Sequence, residues 1–73
     1  MDPKIIGARL RKLRTDRGWS MAYVARQLEI GYSSMISYEY GVRVPSDKVK
    51  VRIADFYGVS VESIFYATEN NET

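Results

Sequence analysis

A short segment between Tyr32 and Ser37 carries side chains that could recognise another molecule. On an α-helix, one uncharged face would be formed by four of its residues: Tyr32, Ser33, Ile36 and Ser37. A solvated helix face is usually rich in Lys and Glu, so this face should meet a close and partly apolar surface. The major groove of a DNA duplex has that character, because serine hydroxyls can bond base edges and isoleucine can contact a thymine methyl. A helix buried on both sides, or a protein contact, would explain the same face.

The rest of the composition argues against catalysis and against a metal or cofactor. The 73 residues contain no histidine and no cysteine, the commonest nucleophiles, general bases and transition-metal ligands. Without disulfides, a single small domain must rely on helix packing and on self-association. No segment has the pattern of a membrane span or a signal peptide, and no small-molecule ligand is evident. We therefore expect a cytoplasmic protein that is not an enzyme and needs no cofactor.

Charge is distributed unevenly along the chain. Residues 1–52 hold all 11 Lys and Arg residues and five of the nine acids, whereas residues 53–73 hold the other four acids. The first part therefore carries +6 and the second −4, within a formal net charge of +2. This asymmetry favours a polyanion that docks on the basic side, near the Tyr32–Ser37 segment. A mixed solvated surface is the alternative.

Two short helices with a tight break between them should position the uncharged face. Ser20 can cap a helix that starts at about Met21, because its side chain can accept a backbone N–H of the first turn. The break falls at Ile30-Gly31. A further helix then runs from about Tyr32 to Tyr40.

Three more helices complete the prediction of an all-α chain with five helices. Asp2-Pro3 is a strong helix start, and a first helix should span about residues 3–17, before Gly18. Ser46 should cap a fourth helix that runs to about Tyr57, and Ser60 a short fifth helix. Several bases of the first helix lie off its buried stripe, where one or two could touch phosphates: Lys4, Arg9, Arg11, Lys12 and Arg17.

Taken in order, these features resemble the Cro and lambda-repressor-like helix-turn-helix family, also called the XRE family, from Ile6 to Phe65. No single match is specific, but the ordered set is. The matching residues are Ile6, Gly7, Leu10, Arg11, Leu13, Arg14, Gly18, Ser20, Val24, Ala25, Leu28, Ile30, Ser33, Met35, Glu39, Tyr40, Gly41, Arg43, Pro45, Ile53, Ala54, Gly58, Val59, Ser60, Ile64 and Phe65. The resemblance implies a five-helix lambda-repressor-like domain, with a scaffold helix after Ser20 and a recognition helix from about Tyr32.

The resemblance also implies roles for individual residues on double-stranded DNA. The base-reading positions are Tyr32, Ser33, Ile36 and Ser37. The phosphate-binding positions are Ser20, Met21, Ser34, Tyr40 and Arg43. The last two lie at a loop where the family places both backbone and side-chain contacts to phosphate. In the family pattern an arginine at the place of Arg14 pairs with the glutamate at Glu39, so we expect a buried structural ion pair there.

The chain departs from the family pattern at four places. Met21 stands where the family commonly has Gln, so phosphate binding there would depend on backbone N–H groups. Glu29 stands where the turn usually has Gly, and a positive φ would strain it by ~1 kcal/mol. Asp47 and Lys50 replace apolar residues, which predicts a slightly altered register of the fourth helix and partial exposure of Val51 or Phe56.

The last third of the chain holds more large apolar residues than one small core should need. We expect Phe56, Ile64, Phe65 and Tyr66 to line a homodimer interface; their complete absorption by a monomer core is the alternative. A twofold dimer would place two recognition helices roughly 34 Å apart and predicts a palindromic operator. Residues 1–67 should form the domain and residues 68–73 a disordered polar tail.

Together these observations predict a sequence-specific DNA-binding transcriptional regulator that acts as a dimeric repressor. Two other functions use the same fold. One is an antitoxin or a restriction-modification controller protein. The other is a protein-interaction module that has lost DNA binding.

Overall fold

The computed structural model describes residues 1–68, and every regular element in that part of the chain is an α-helix. The helices are α1 (Pro3–Asp16), α2 (Met21–Leu28), α3 (Tyr32–Glu39), α4 (Asp47–Tyr57) and α5 (Val61–Phe65). The prediction of an all-α, five-helix chain is confirmed. Apart from its first residue, the predicted polar tail lies outside the described residues. No helix in residues 1–68 is long and apolar enough to cross a membrane.

Local signals in the sequence account for where the helices begin. Four helices start after a residue whose side chain accepts a backbone N–H of the first turn: Asp2, Ser20, Ser46 and Ser60. α3 differs, because its N-cap Gly31 has no side chain to supply this bond. The N–H groups at the start of α3 therefore stay open to another acceptor.

One apolar core is shared by all five helices. It contains Ile64 and Phe65, each 1% exposed, because the short α5 packs against both α1 and α4. Their prediction as dimer-interface residues is wrong, since the single chain already buries them. Phe56 is half-buried and packs on Trp19 with ring centroids 5.3 Å apart. Of the four predicted interface residues, only Tyr66 is widely exposed.

The buried stripe of α4 includes a lysine. Lys50 is only 6% exposed. Its ammonium donates to the hydroxyl of Tyr66 at 2.9 Å, lies 3.4 Å from the Asp47 carboxylate and sits over the ring of Phe65. The bond to Tyr66 raises the pKa of Lys50 above its ordinary value. These contacts stabilise a cation at a core position of α4, and Val51 is half-exposed as expected.

Candidate nucleic-acid interface

The turn between α2 and α3 is built on a strained residue. Glu29 is in the left-handed region, with φ 58° and ψ 44°, and is the one non-glycine residue of the described chain with a positive φ. Such a conformation costs an ordinary residue about 1–2 kcal/mol. The guanidinium of Arg52 on α4 donates to the carbonyl of Leu28, the last residue of α2. A cation at this helix end favours the turn, because the C-terminal carbonyls of a helix carry partial negative charge.

The uncharged face of α3 is open to solvent. Tyr32 is 53% exposed, Ser33 is exposed, and Ile36 and Ser37 are half-buried. The opposite face supplies three buried residues: Met35, Tyr38 and Glu39. The interpretation that α3 is buried on both sides is therefore wrong. The exposed face is available to a nucleic acid or to a protein.

The start of α2 supplies a second set of hydrogen-bond donors. The hydroxyl oxygen of Ser20 accepts the N–H of Tyr23 at 3.0 Å. The N–H groups of Met21 and Ala22 have no acceptor within the helix, because they belong to its first turn. The Met21 side chain packs against the core, so only its backbone can bind an anion. The positive end of the helix dipole favours a phosphate at this place.

Arg43 is held beside the exposed face of α3. Its Nη2 donates to the hydroxyl oxygen of Ser34 at 2.8 Å, and its guanidinium lies 5.4 Å from the centroid of the Tyr38 ring. Arg43 is exposed, and its other N–H groups have no partner within residues 1–68, so they can bind an anion.

The four backbone N–H groups from Tyr40 to Arg43, which follow α3, are all bonded within the chain. The N–H of Tyr40 donates to Ile36, that of Gly41 to Tyr38, and those of Val42 and Arg43 both to the carbonyl of Ser37. The turn that closes α3 therefore uses these four N–H groups, which leaves the phosphate contacts expected of Tyr40 and Arg43 to their side chains.

Arg14 and Glu39 meet between α1 and the end of α3. Arg14 donates from Nε to Oε2 at 2.7 Å and from Nη2 to Oε1 at 2.9 Å, and its Nη1 donates to the carbonyl of Trp19 at 2.8 Å. The Glu39 side chain is 1% exposed. The hydrogen bond to Glu39 raises the pKa of Arg14 above its ordinary value. The pair fixes the end of α3 relative to α1.

Comparison with known proteins identifies the family. A model described as a helix-turn-helix domain matches residues 5–64. The chain belongs to this helix-turn-helix family. The match confirms the resemblance on which the assignment of α2 as scaffold helix and α3 as recognition helix depends. No solved structure is significantly similar to the chain.

Three relatives of this helix-turn-helix chain are named as regulators, not as enzymes. The HTH-type transcriptional regulator RamB of Mycobacterium tuberculosis is 35% identical over 71 residues, which are 97% of this chain and 15% of RamB. The HTH-type transcriptional regulator AnsR of Bacillus subtilis is 31% identical over 65 residues, 89% of the chain and 56% of AnsR. The cryptic phage CTXphi transcriptional repressor RstR of Vibrio cholerae is 27% identical over 67 residues, 92% of the chain and 60% of RstR. The chain spans less than two thirds of each relative.

Contacts across the helix-turn-helix domain distinguish the roles of the basic residues in and just after α1, which the sequence alone could not do. Arg9 donates to the carbonyls of Ile64 and Ala67, and Arg17, which follows α1, donates to that of Tyr57, so both connect this part of the chain to α4 or α5. Arg11 instead reaches the end of α3. Arg11 lies three residues before Arg14 on the same face of α1, and this spacing is the sequence signal that could have predicted its contact with the end of α3.

Proposed function

We propose that this helix-turn-helix domain is a sequence-specific double-stranded DNA-binding transcriptional regulator, with α3 in the major groove. The observation that carries the proposal is the exposed, uncharged face of α3, in a chain that also offers two groups of anion-binding donors. One group is the start of α2 and the other is Arg43. This arrangement matches a duplex, in which base edges lie between two phosphate backbones.

Base reading is assigned to the side chains that α3 leaves exposed or half-exposed. Tyr32 and Ser33 would contact bases from the first turn of the helix, and Ile36 and Ser37 from the second. The Tyr32 hydroxyl and the serine hydroxyls can hydrogen-bond base edges, and Ile36 can contact a thymine methyl.

Phosphate contacts are assigned to groups at the start of α2 and around the end of α3. The Ser20 hydroxyl and the Met21 N–H would bind one phosphate. Arg43 would bind another, together with the hydroxyl hydrogen of Ser34, because that oxygen already accepts from Arg43. The hydroxyl of Tyr40 is a further donor at the end of α3.

We further propose that two copies bind a palindromic operator and repress transcription. The repressor name of RstR supports the direction of the effect. Tyr66, half-exposed at the end of the described chain, and the accessible part of Phe56 are the predicted contacts that a second copy could still use. A dimer spaces its recognition helices about one duplex turn apart, roughly 34 Å, which would make the operator an inverted repeat.

The test selects the duplexes that the protein binds from a random pool and sequences them. The affinity for the enriched sequence is then measured as a function of salt concentration. We expect an inverted repeat, and an affinity that falls linearly with salt on logarithmic axes. Ser37→Ala should change the preferred base at one position of each half-site. Arg43→Gln should instead weaken binding to all sequences and lower the salt slope by about 0.9 per bound protomer.

Two results would contradict the proposal. Absence of enrichment together with salt-independent binding would refute DNA recognition and would favour a protein partner for the same face. Enrichment of a single half-site, with one protomer bound per duplex, would refute the dimer while leaving DNA recognition intact.

A further inference from the structure

One face of α1 lies unusually close to the end of α3. A Cβ atom built on Gly7 would come within 2.3 Å of the Glu39 carbonyl oxygen and 2.9 Å of that of Tyr38. Only glycine permits this approach, because real Cβ atoms do not come so close to a backbone. Arg11 follows one helical turn after Gly7, so the same approach delivers its side chain to the end of α3.

Arg11 is held there by three contacts. Its Nη2 donates to the carbonyl oxygen of Glu39 at 3.0 Å, and its Nε lies 3.9 Å from the Oε1 of the same residue. The guanidinium carbon lies 5.4 Å from the centroid of the Tyr40 ring, the geometry of a cation–π contact. The side chain is nevertheless 47% exposed. Both Nη1 hydrogens and the second Nη2 hydrogen have no partner within residues 1–68.

Tyr40 connects this arginine to the exposed face of α3. It follows Ser33 by seven residues and Ser37 by three, so it continues the same helical stripe. The tyrosine is 57% exposed. The stacked guanidinium therefore lies at the C-terminal end of the face that we assign to DNA.

The three charged side chains of Arg11, Arg14 and Glu39 together carry a net positive charge. Arg14 and Arg11 share the single carboxylate of Glu39, and Arg14 is the partner with the short, paired hydrogen bonds. Because the Glu39 carboxylate already pairs with Arg14, no carboxylate within residues 1–68 fully neutralises the exposed guanidinium of Arg11.

We propose that Arg11, fixed on the ring of Tyr40, binds a backbone phosphate beside the C-terminal end of the recognition helix. The inference rests on the proposed function, since it adds a contact to the same DNA complex. Arg11 and Arg43 then bind the backbone from two different elements, α1 and the loop after α3. A phosphate placed here would complete the hydrogen bonding of a guanidinium that the fold has already oriented.

The test compares two variants that lose the same charge from the same helix. Arg11→Gln removes the proposed contact. Lys12→Gln is the control, because Lys12 pairs with Asp16 at 3.1 Å and lines the groove between α1 and α5, away from α3. Affinity for the enriched duplex is measured by fluorescence anisotropy at about 50 to 200 mM salt.

We expect Arg11→Gln to lower the salt slope by about 0.9 per bound protomer. The ratio of the wild-type affinity to the variant affinity should therefore fall about 3.5-fold between about 50 and 200 mM salt. Lys12→Gln should leave the slope nearly unchanged. If the two variants have equal slopes, Arg11 only caps α3 and the inference is refuted. A wild type that binds without salt dependence would refute the proposed function itself, so the two failures are distinguishable.

The role of the ring is tested with Tyr40→Phe and Tyr40→Leu. Phenylalanine keeps the ring and removes the hydroxyl, whereas leucine removes both. We expect leucine to bind DNA several-fold more weakly than phenylalanine in the presence of Arg11, and equally well in the R11Q background. An equal difference in both backgrounds would show that the ring does not act through Arg11. Thermal melts of all variants serve as the measure of folding.

Discussion

Replacement of Glu39 by alanine should destabilise this domain more than the loss of any surface charge. The Glu39 carboxylate is buried at the junction of α1 and α3, where it accepts two hydrogen bonds from Arg14. In the variant Arg14, whose side chain is 13% exposed, keeps only the hydrogen bond of its guanidinium to the carbonyl of Trp19. An unpaired charge would then be left in a site from which water is largely excluded.

Loss of one partner of a buried ion pair typically costs ~3–5 kcal/mol. At ~0.05–0.15 kcal/mol per residue, a domain of this length has a free energy of unfolding of roughly 4–11 kcal/mol. For domains of this size each kcal/mol lowers Tm by roughly 4–8 °C. We therefore expect Glu39→Ala to lower Tm by at least about 12 °C, and to leave part of the protein unfolded at 37 °C.

Thermal melts give Tm and urea denaturation gives the free energy of unfolding, both followed by circular dichroism, and urea does not screen the ion pair. Asp16→Ala is the matched control, because it breaks the exposed Lys12–Asp16 pair and should change the free energy of unfolding by less than ~1 kcal/mol. The double variant Arg14→Met with Glu39→Leu should be more stable than Glu39→Ala, because no charge is left unpaired. A loss of Tm below about 4 °C for Glu39→Ala would refute the reasoning, as it would match an exposed pair.

Three further predictions concern stability. Gly7→Ala should lower the free energy of unfolding measured in urea by ~1–3 kcal/mol, because its Cβ would overlap the Glu39 carbonyl, although alanine favours helices. Glu29→Gly should raise the free energy of unfolding by up to ~1 kcal/mol, and Tm with it, because glycine adopts the left-handed φ of 58° without strain. Tyr57→Phe should raise Tm or leave it unchanged, because the buried hydroxyl of Tyr57 has no hydrogen-bond partner within residues 1–68. Burial raises the pKa of Tyr57 to about 12, so the folded state holds the phenol proton more tightly than the unfolded state does. The stability of the wild type should therefore fall as pH rises from about 10 to 12. Thermal melts across this pH range should show a smaller fall in Tm for Tyr57→Phe.

The helices and their bounds were predictable because the signals that fix them are local. A capping serine acts on the N–H group three residues later, and Ser20 and Ser60 both do so. The uncharged face of α3 could likewise be predicted from the spacing of residues within one helix. The strain at Glu29 followed from a single position in the turn.

What the sequence did not predict depends on contacts between distant segments. Ile64 and Phe65 have the composition of an interface, and only the packing of α5 on α1 and α4 shows that the single chain buries them. Lys50 looks like a surface residue until the ring of Phe65 and the hydroxyl of Tyr66 are placed around it. Arg11 was one of several equivalent bases, because its role depends on how closely α1 approaches α3.

Stability and phosphate binding use different atoms of Glu39, and this allows them to be separated by mutation. The carboxylate serves the buried pair with Arg14, whereas the backbone carbonyl accepts the hydrogen bond from Arg11. Glu39→Gln removes the negative charge and keeps the carbonyl, so it should lower Tm and leave the salt slope of DNA binding undiminished.

Arg11→Gln should have the opposite result, with a lower salt slope and little change in Tm, because its side chain is half-exposed. Measurement of Tm and salt slope for both variants therefore tests whether the two roles are distinct. A salt slope that falls in Glu39→Gln as much as in Arg11→Gln would show that Arg11 is held by the carboxylate, and that one ion-pair cluster governs both folding and DNA binding.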